Sequence, residues 1–443
     1  MREVIVTGTS TTVLAAALEC AQVGIRVRIA PEAEGEQPNA HGVRQAGIRD
    51  AQGEFTEFLE HVSAPIGEGG PAEARTRPIR TAPAAIALRG RTGAWGEQPW
   101  PSVVGIPAVP LATKTTALIG GRASARAYLD RVKPVLTIGK ESQLSHLVET
   151  RVGAVTRELL VEPFIQERFG RPSSDVEVAT AAPGLNEALT RVGSLTGAVL
   201  ATAPEAEQRD TLVSAVAGWD ELRAALLERL EPYGAELLPE ALVSLRRDGD
   251  AWVGRDASGH EYRADAVIVD ADHALAAAGE LAEALSAVVA DDAQHRAYAE
   301  VTIVAPGRDI DSLELAQDGA GTTWSIRTRK LGDGTWLAEI AGAVFAAGPD
   351  ALTREAAVTR MSEALQSVAL EASAEIRARI EAAPFTSHTL RDAAEAARAE
   401  LAETELTVLA CGPALHGGEL ASAVGDARVQ AQVMRRRLVG ISK

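Results

Sequence analysis

The chain has 443 residues, enough for two or three domains with separate cores. Its 46% hydrophobic and 24% charged residues are those of an ordinary globular protein. A net charge of −17 tells against nucleic acid as a partner and against strong attachment to anionic lipid.

The chain opens on a strand, a helix and a second strand. Val4-Ile5-Val6 is an apolar run, Gly8 begins a tight turn, and an Ala-rich helix follows. Gly24 stops the helix, and Ile25 to Ile29 forms the next strand. This order is that of a Rossmann-type dinucleotide-binding unit, whose fingerprint is G-x-G-x-x-G. The three glycine places read Gly8, Ser10 and Val13. Gly8 can make the turn. A Ser10 side chain intrudes where a pyrophosphate would approach the backbone, and Val13 is bulky where helix and strand should pack closely. The acid that binds ribose should end the second strand, at Ala30 or Pro31. Glu32 is the nearest carboxylate and comes one or two residues late.

Residues 51–110 are rich in Gly and Pro and poorly periodic, and residues 111–205 read as mainly helical. A helix over Trp219–Leu230 precedes three short strands, Ala241–Arg246, Ala251–Arg255 and Glu261–Arg263, joined by Asp-Gly and Ser-Gly turns. Ala266–Val269 is an apolar run that suits a buried parallel strand. Residues 272–296 read as helix, and Ala299–Val304, Thr323–Arg329 and Thr335–Ile340 as strands. One long helix is expected over Asp350–Arg379, then a last strand over Glu405–Ala410. A glycine turn with Gly412, Gly417 and Gly418 leads to a closing helix over Glu419–Leu438. The expected class is α/β. A Rossmann-like FAD/NAD(P)-binding domain is assembled from 1–50, 205–285 and 385–443. A mainly helical insert fills 51–204, and a mixed-sheet substrate domain 286–384.

Cys20 and Cys411 are expected as buried thiols in a reducing cytoplasm, and no Cys or His spacing suggests a metal. No apolar stretch reaches the length of a membrane span and no signal peptide is read, so the expected location is cytoplasmic, with peripheral membrane contact left open.

In order and spacing the chain resembles the FAD-dependent protoporphyrinogen/coproporphyrinogen oxidases, actinobacterial type, within the amine-oxidase-like flavoproteins. The resemblance runs nearly end to end. It is carried by the N-terminal unit, Val103-Val104-Gly105-Ile106-Pro107, Leu160-Val161-Glu162-Pro163-Phe164 and Ala217-Gly218-Trp219. It continues in Asp265 to Val269, Arg327-Thr328-Arg329-Lys330-Leu331-Gly332, and Leu409 to Arg428. The resemblance implies FAD, and oxidation of a porphyrinogen to a porphyrin by O2. It places Val243 at the backbone contact to adenine, a position that also suits plain strand core. It places Gly412 and Glu419 in the closing flavin motif, Glu419 where a Gly is expected. It places Arg329 and Lys330 where cations could hold a porphyrin carboxylate; the plain alternative for Lys330 is a solvated surface cation.

The departures gather on the contacts of one ligand: Ser10, Val13, the missing ribose acid and Glu419. They point to FAD that is absent or weakly bound. The expected function is therefore a non-catalytic porphyrinogen-oxidase homologue of haem-biosynthesis ancestry, one that binds a tetrapyrrole or pairs with an active subunit in a homo- or hetero-oligomer. The alternative is an active FAD-dependent coproporphyrinogen III or protoporphyrinogen IX oxidase. No catalytic residue and no metal site is named from the sequence.

Overall fold

The structure, a computed structural model, describes residues 2–33, 47–67, 72–133, 142–271, 285, 294–346, 348 and 351–440. The fold is α/β, and its contacts divide the chain into two compact units. One holds residues 1–82, 209–291 and 391–443; the other holds 83–208 and 292–390.

The first unit is built on five parallel strands. These are β1 (Glu3–Thr7), β2 (Arg26–Ala30), β3 (Glu236–Leu237), β7 (Ala266–Asp270) and β8 (Val408–Cys411), in the order β3-β2-β1-β7-β8. Buried Val4, Ile5 and Val6 and Ala266 to Val269 explain why the central strands lack polar alternation: helices cover one face and a meander the other. The meander runs antiparallel through β4 (Leu242–Asp248), β5 (Ala251–Asp256) and β6 (Glu261–Ala264).

Helix α1 (Thr11–Ala21) is buried at every position after Thr11. It packs against α3 (Trp219–Leu230) and, more extensively, α5 (Leu420–Leu438). The α1–α5 contact contains one buried charge. Glu19 accepts from Arg428 Nε at 3.0 Å and Arg435 Nη1 at 3.0 Å. Cys20 beside it is buried, which pushes its thiol up to about 12 and keeps it protonated.

Helix α2 (Glu54–Ser63) lies within the stretch read as aperiodic. Asp50 fixes its start by accepting from the N–H groups of Phe55 and Thr56, while Phe55, Phe58, Leu59 and Val62 form its buried face. Trp219 opens α3 and stacks on Phe55, ring centroids 5.5 Å apart.

The second unit joins a helical layer to a seven-stranded mixed sheet. The sheet order is Arg379–Ala382, Gln294–Ile303, Trp336–Ala346, Thr323–Lys330, Ser312–Gln317, Ala87–Arg89, Trp95–Glu97. A helix over Arg354–Ser367 packs Ala357, Met361 and Leu365 onto it. The expected continuous helix over Asp350–Arg379 is thus corrected. It stops at Ser367, and Ala369 takes a left-handed φ of 58°. Ala369 N–H then reaches Gln366 O at 3.0 Å and Leu370 N–H reaches Leu365 O at 2.9 Å, a helix-ending pair of bonds. Of the helix read at 272–296, residues 294–296 belong to a strand; apart from Leu285, the rest lies outside the described residues.

Candidate functional site

The carboxyl edge of the parallel sheet gathers most of the residues singled out from the sequence. Gly8 leaves β1 with φ 84°, and its N–H donates to Ala30 O at 2.8 Å. That bond ties the turn to the end of β2. Ser10 is the N-cap of α1, but its hydroxyl bonds Thr12 Oγ1 at 3.0 Å and caps no backbone N–H. Val13 is fully buried in the core between α1 and the sheet. Thr7, Thr9, Ser10 and Thr12 are all 0–4% exposed, so the residues of the turn are buried.

Glu32 lies closer to this turn than its sequence offset suggests. Its Oε1 accepts the Thr9 N–H at 2.6 Å, and both carboxylate oxygens lie 2.9 Å from Thr9 Oγ1. Asp270, which the sequence reading passed over, ends β7 on the same edge. Its N–H donates to Thr7 Oγ1 at 3.1 Å. A Cβ added to Gly8 would sit 3.4 Å from Asp270 Oδ2 and 3.5 Å from Glu32 Oε1. Two carboxylates therefore flank Gly8. The signal for Asp270 was present as a charge ending an otherwise apolar run, but only the β1–β7 pairing brings it to the turn.

Cys411 pairs with Asp270 in register, which puts Gly412 on this edge as well. Gly412, Gly417 and Gly418 have φ of 141°, 60° and 76°, so the closing turn keeps a backbone that favours glycine. Glu419, the N-cap of α5, is exposed to solvent and makes no cap hydrogen bond. Glu54 lies near it; burial, then Asp50, Asp426 and Glu419, hold its carboxyl above the ordinary value. His416 is largely buried and 3.4 Å from Asp426. Burial alone would raise Asp426, but His416 and Arg398 overcome it and hold this carboxyl below the ordinary value.

Three positions stand apart. Val243 is 48% exposed at an irregularity in the β4–β5 pairing, so its reading as strand core is corrected: the bulge turns it outward. Arg329 and Lys330 lie in the other unit. Arg329 Nε bonds Glu339 at 3.0 Å, and Lys330 Nζ bonds the exposed Asp309 at 2.5 Å. Each of these cations already carries one acid of the chain. Among the described residues no cluster of three or more His, Cys, Asp or Glu is arranged to hold a metal.

A dinucleotide needs the amides of this turn for its pyrophosphate. Here Glu32 already accepts the Thr9 amide, Ser10 and Val13 fill two glycine places, and the Asp270 side chain lies beside Gly8.

No family model matches the chain, and no curated protein matches it. Solved structures do. A candidate protoporphyrinogen oxidase from Exiguobacterium sp. 255-15 superposes with a TM-score of 0.70 at 15% identity, covering 98% of this chain and 99% of that one. A reduced UDP-galactopyranose mutase gives 0.59 at 9% identity, over 100% and 94%. A putrescine oxidase bound to putrescine gives 0.52 at 11% identity, over 99% of each chain. The chain therefore has the overall fold that these solved structures share.

Proposed function

We propose that this protein is a porphyrinogen-oxidase-like chain that keeps the flavoprotein frame without stoichiometric FAD, and acts as a non-catalytic tetrapyrrole-binding protein or as the partner of an active subunit. The observation that carries this reading is the enclosed turn at the start of α1. Thr7, Thr9, Ser10 and Thr12, the residues of the turn that should meet a pyrophosphate, are themselves buried, and Glu32 holds the Thr9 amide. The tetrapyrrole part rests on likeness to porphyrinogen oxidases in sequence order and in fold. It does not need Arg329 or Lys330, since both already hold acids.

A second reading has its own support. The closing turn keeps three glycines with positive φ, and Glu32 reaches the turn where a ribose-binding acid would act. An active FAD-dependent porphyrinogen oxidase would use both.

The visible spectrum of the purified protein, and the flavin released on heating, separate the two. The expected result is no flavin band and far less than one flavin per chain; a near-equimolar yield overturns the proposal in favour of the oxidase. Saturable quenching of coproporphyrin III fluorescence by the flavin-free protein tests the tetrapyrrole role. Without it, the partner-subunit role is the one left.

A further inference from the structure

We propose that Glu32 is a built-in anion: its carboxylate fills the anion-binding turn of α1 and, with Asp270, excludes a pyrophosphate from it. This rests on the reading that the chain holds no stoichiometric FAD, and it names the residues that enforce it.

The start of α1 needs a negative group. A helix N-terminus carries unsatisfied amides and partial positive charge. In most helices a Ser N-cap or an acid in the first turn meets this need. Here neither does: Ser10 spends its hydroxyl on Thr12 Oγ1, and the first turn contains no acid. The nearby negative group comes from 22 positions beyond Ser10, where Glu32 takes both the amide and the hydroxyl of Thr9, the residue just before the N-cap. Charge-assisted bonds of this kind are stronger than neutral ones. A phosphate seeking that amide must first displace a covalently tethered carboxylate. The tether gives Glu32 a high effective concentration that a free ligand has to match.

Asp270 supplies an independent obstacle. It lies on a different strand, yet its Oδ2 is 3.4 Å from where a Gly8 Cβ would stand. Displacing Glu32 would still leave a phosphate beside the acceptor oxygen of Asp270, which offers it no hydrogen bond as a carboxylate.

Isothermal titration of inorganic pyrophosphate and of ADP into the protein, Glu32→Gln, Glu32→Ala and Glu32→Ala/Asp270→Asn tests the proposal. Glu60→Gln, on the exposed side of α2, controls for the change in net charge. The native protein and Glu60→Gln are expected to show no saturable binding. Glu32→Ala should bind at least ten-fold more tightly than the native protein, the double variant more tightly still, and Glu32→Gln less than Glu32→Ala. Far-UV circular dichroism establishes folding. Should Glu32→Ala unfold, Glu32→Gln, which keeps the side-chain shape and one acceptor oxygen, decides the matter by the sign of its change. No gain in any folded Glu32 variant overturns the inference while leaving the flavin-free reading intact. If instead the native protein carries equimolar FAD, the flavin-free reading falls. A loss of that FAD in Glu32→Gln would then show Glu32 to be a cofactor ligand and overturn the inference too.

Discussion

Restoring glycine at position 13 would exchange a fully buried β-branched side chain for none. Lost burial and the resulting cavity cost about 1–3 kcal/mol, and Gly in a helix costs about 1 kcal/mol more. Val13→Gly should therefore destabilise the protein by about 2–4 kcal/mol in urea unfolding followed by circular dichroism. A change under about 1 kcal/mol would mean that the contact between α1 and the sheet relaxes around the gap. Ser10 and Val13 were readable in the sequence because the fingerprint fixes their places by counting. Glu32 was underrated by the same counting, which treats β2 as a ruler. Pro31 follows that strand, and the side chain still returns to Thr9. Asp270 showed only as a charge ending an apolar run, because its place at the turn depends on pairing between strands more than 250 residues apart.

At the level of elements, buried strands were the most legible. Val4–Val6 and Ala266–Val269 are apolar throughout because both faces are covered, and no surface position interrupts them. Helices without an apolar stripe were not. Helix α4 (His388–Thr404) was missed, and Leu401 is its one buried residue. The stop at Ser367 was missed because no glycine marks it: Ala369 occupies the left-handed position that glycine favours. An L-residue there costs about 1–2 kcal/mol, while a glycine gives back about 0.4–1 kcal/mol through the unfolded chain. Ala369→Gly should thus raise stability by about 0.5–1 kcal/mol, read as a higher urea midpoint with an unchanged slope. A lower midpoint would show that Ala369 contributes packing worth more than its strain.

Over the whole molecule, acidic groups set the pH response. Asp265, Asp318 and Asp426 are partly buried, which alone would raise them. Hydrogen bonds from Glu3 N–H, Trp324 Nε1 and His416, and nearby arginines, hold all three below the ordinary value. Glu73 is lowered to about 2, chiefly by its bond to Arg75. Groups lowered in this way contribute stability above their unfolded values and lose it as pH falls through the folded ones. Glu54 and Glu314 are raised by burial and carry the opposite sign: their contribution is complete at low pH and fades as pH rises. The thermal midpoint should therefore peak between weakly acidic and neutral pH and fall below about pH 4, the ordinary carboxylate range. A midpoint still rising at that pH would show that relief of the −17 charge outweighs the lost carboxylate bonds. The segmented parallel sheet has a separate consequence for synthesis. β1, α1 and β2 leave the ribosome first, but β8 and α5, which complete the sheet edge and cover α1, begin only at Val408 and Leu420. At about 5–20 residues per second that interval is on the order of 20–80 s. For that time a helix destined for burial at ten of its eleven positions lacks α5, the helix it packs against most extensively, and has only α3 to cover it once residue 230 is made.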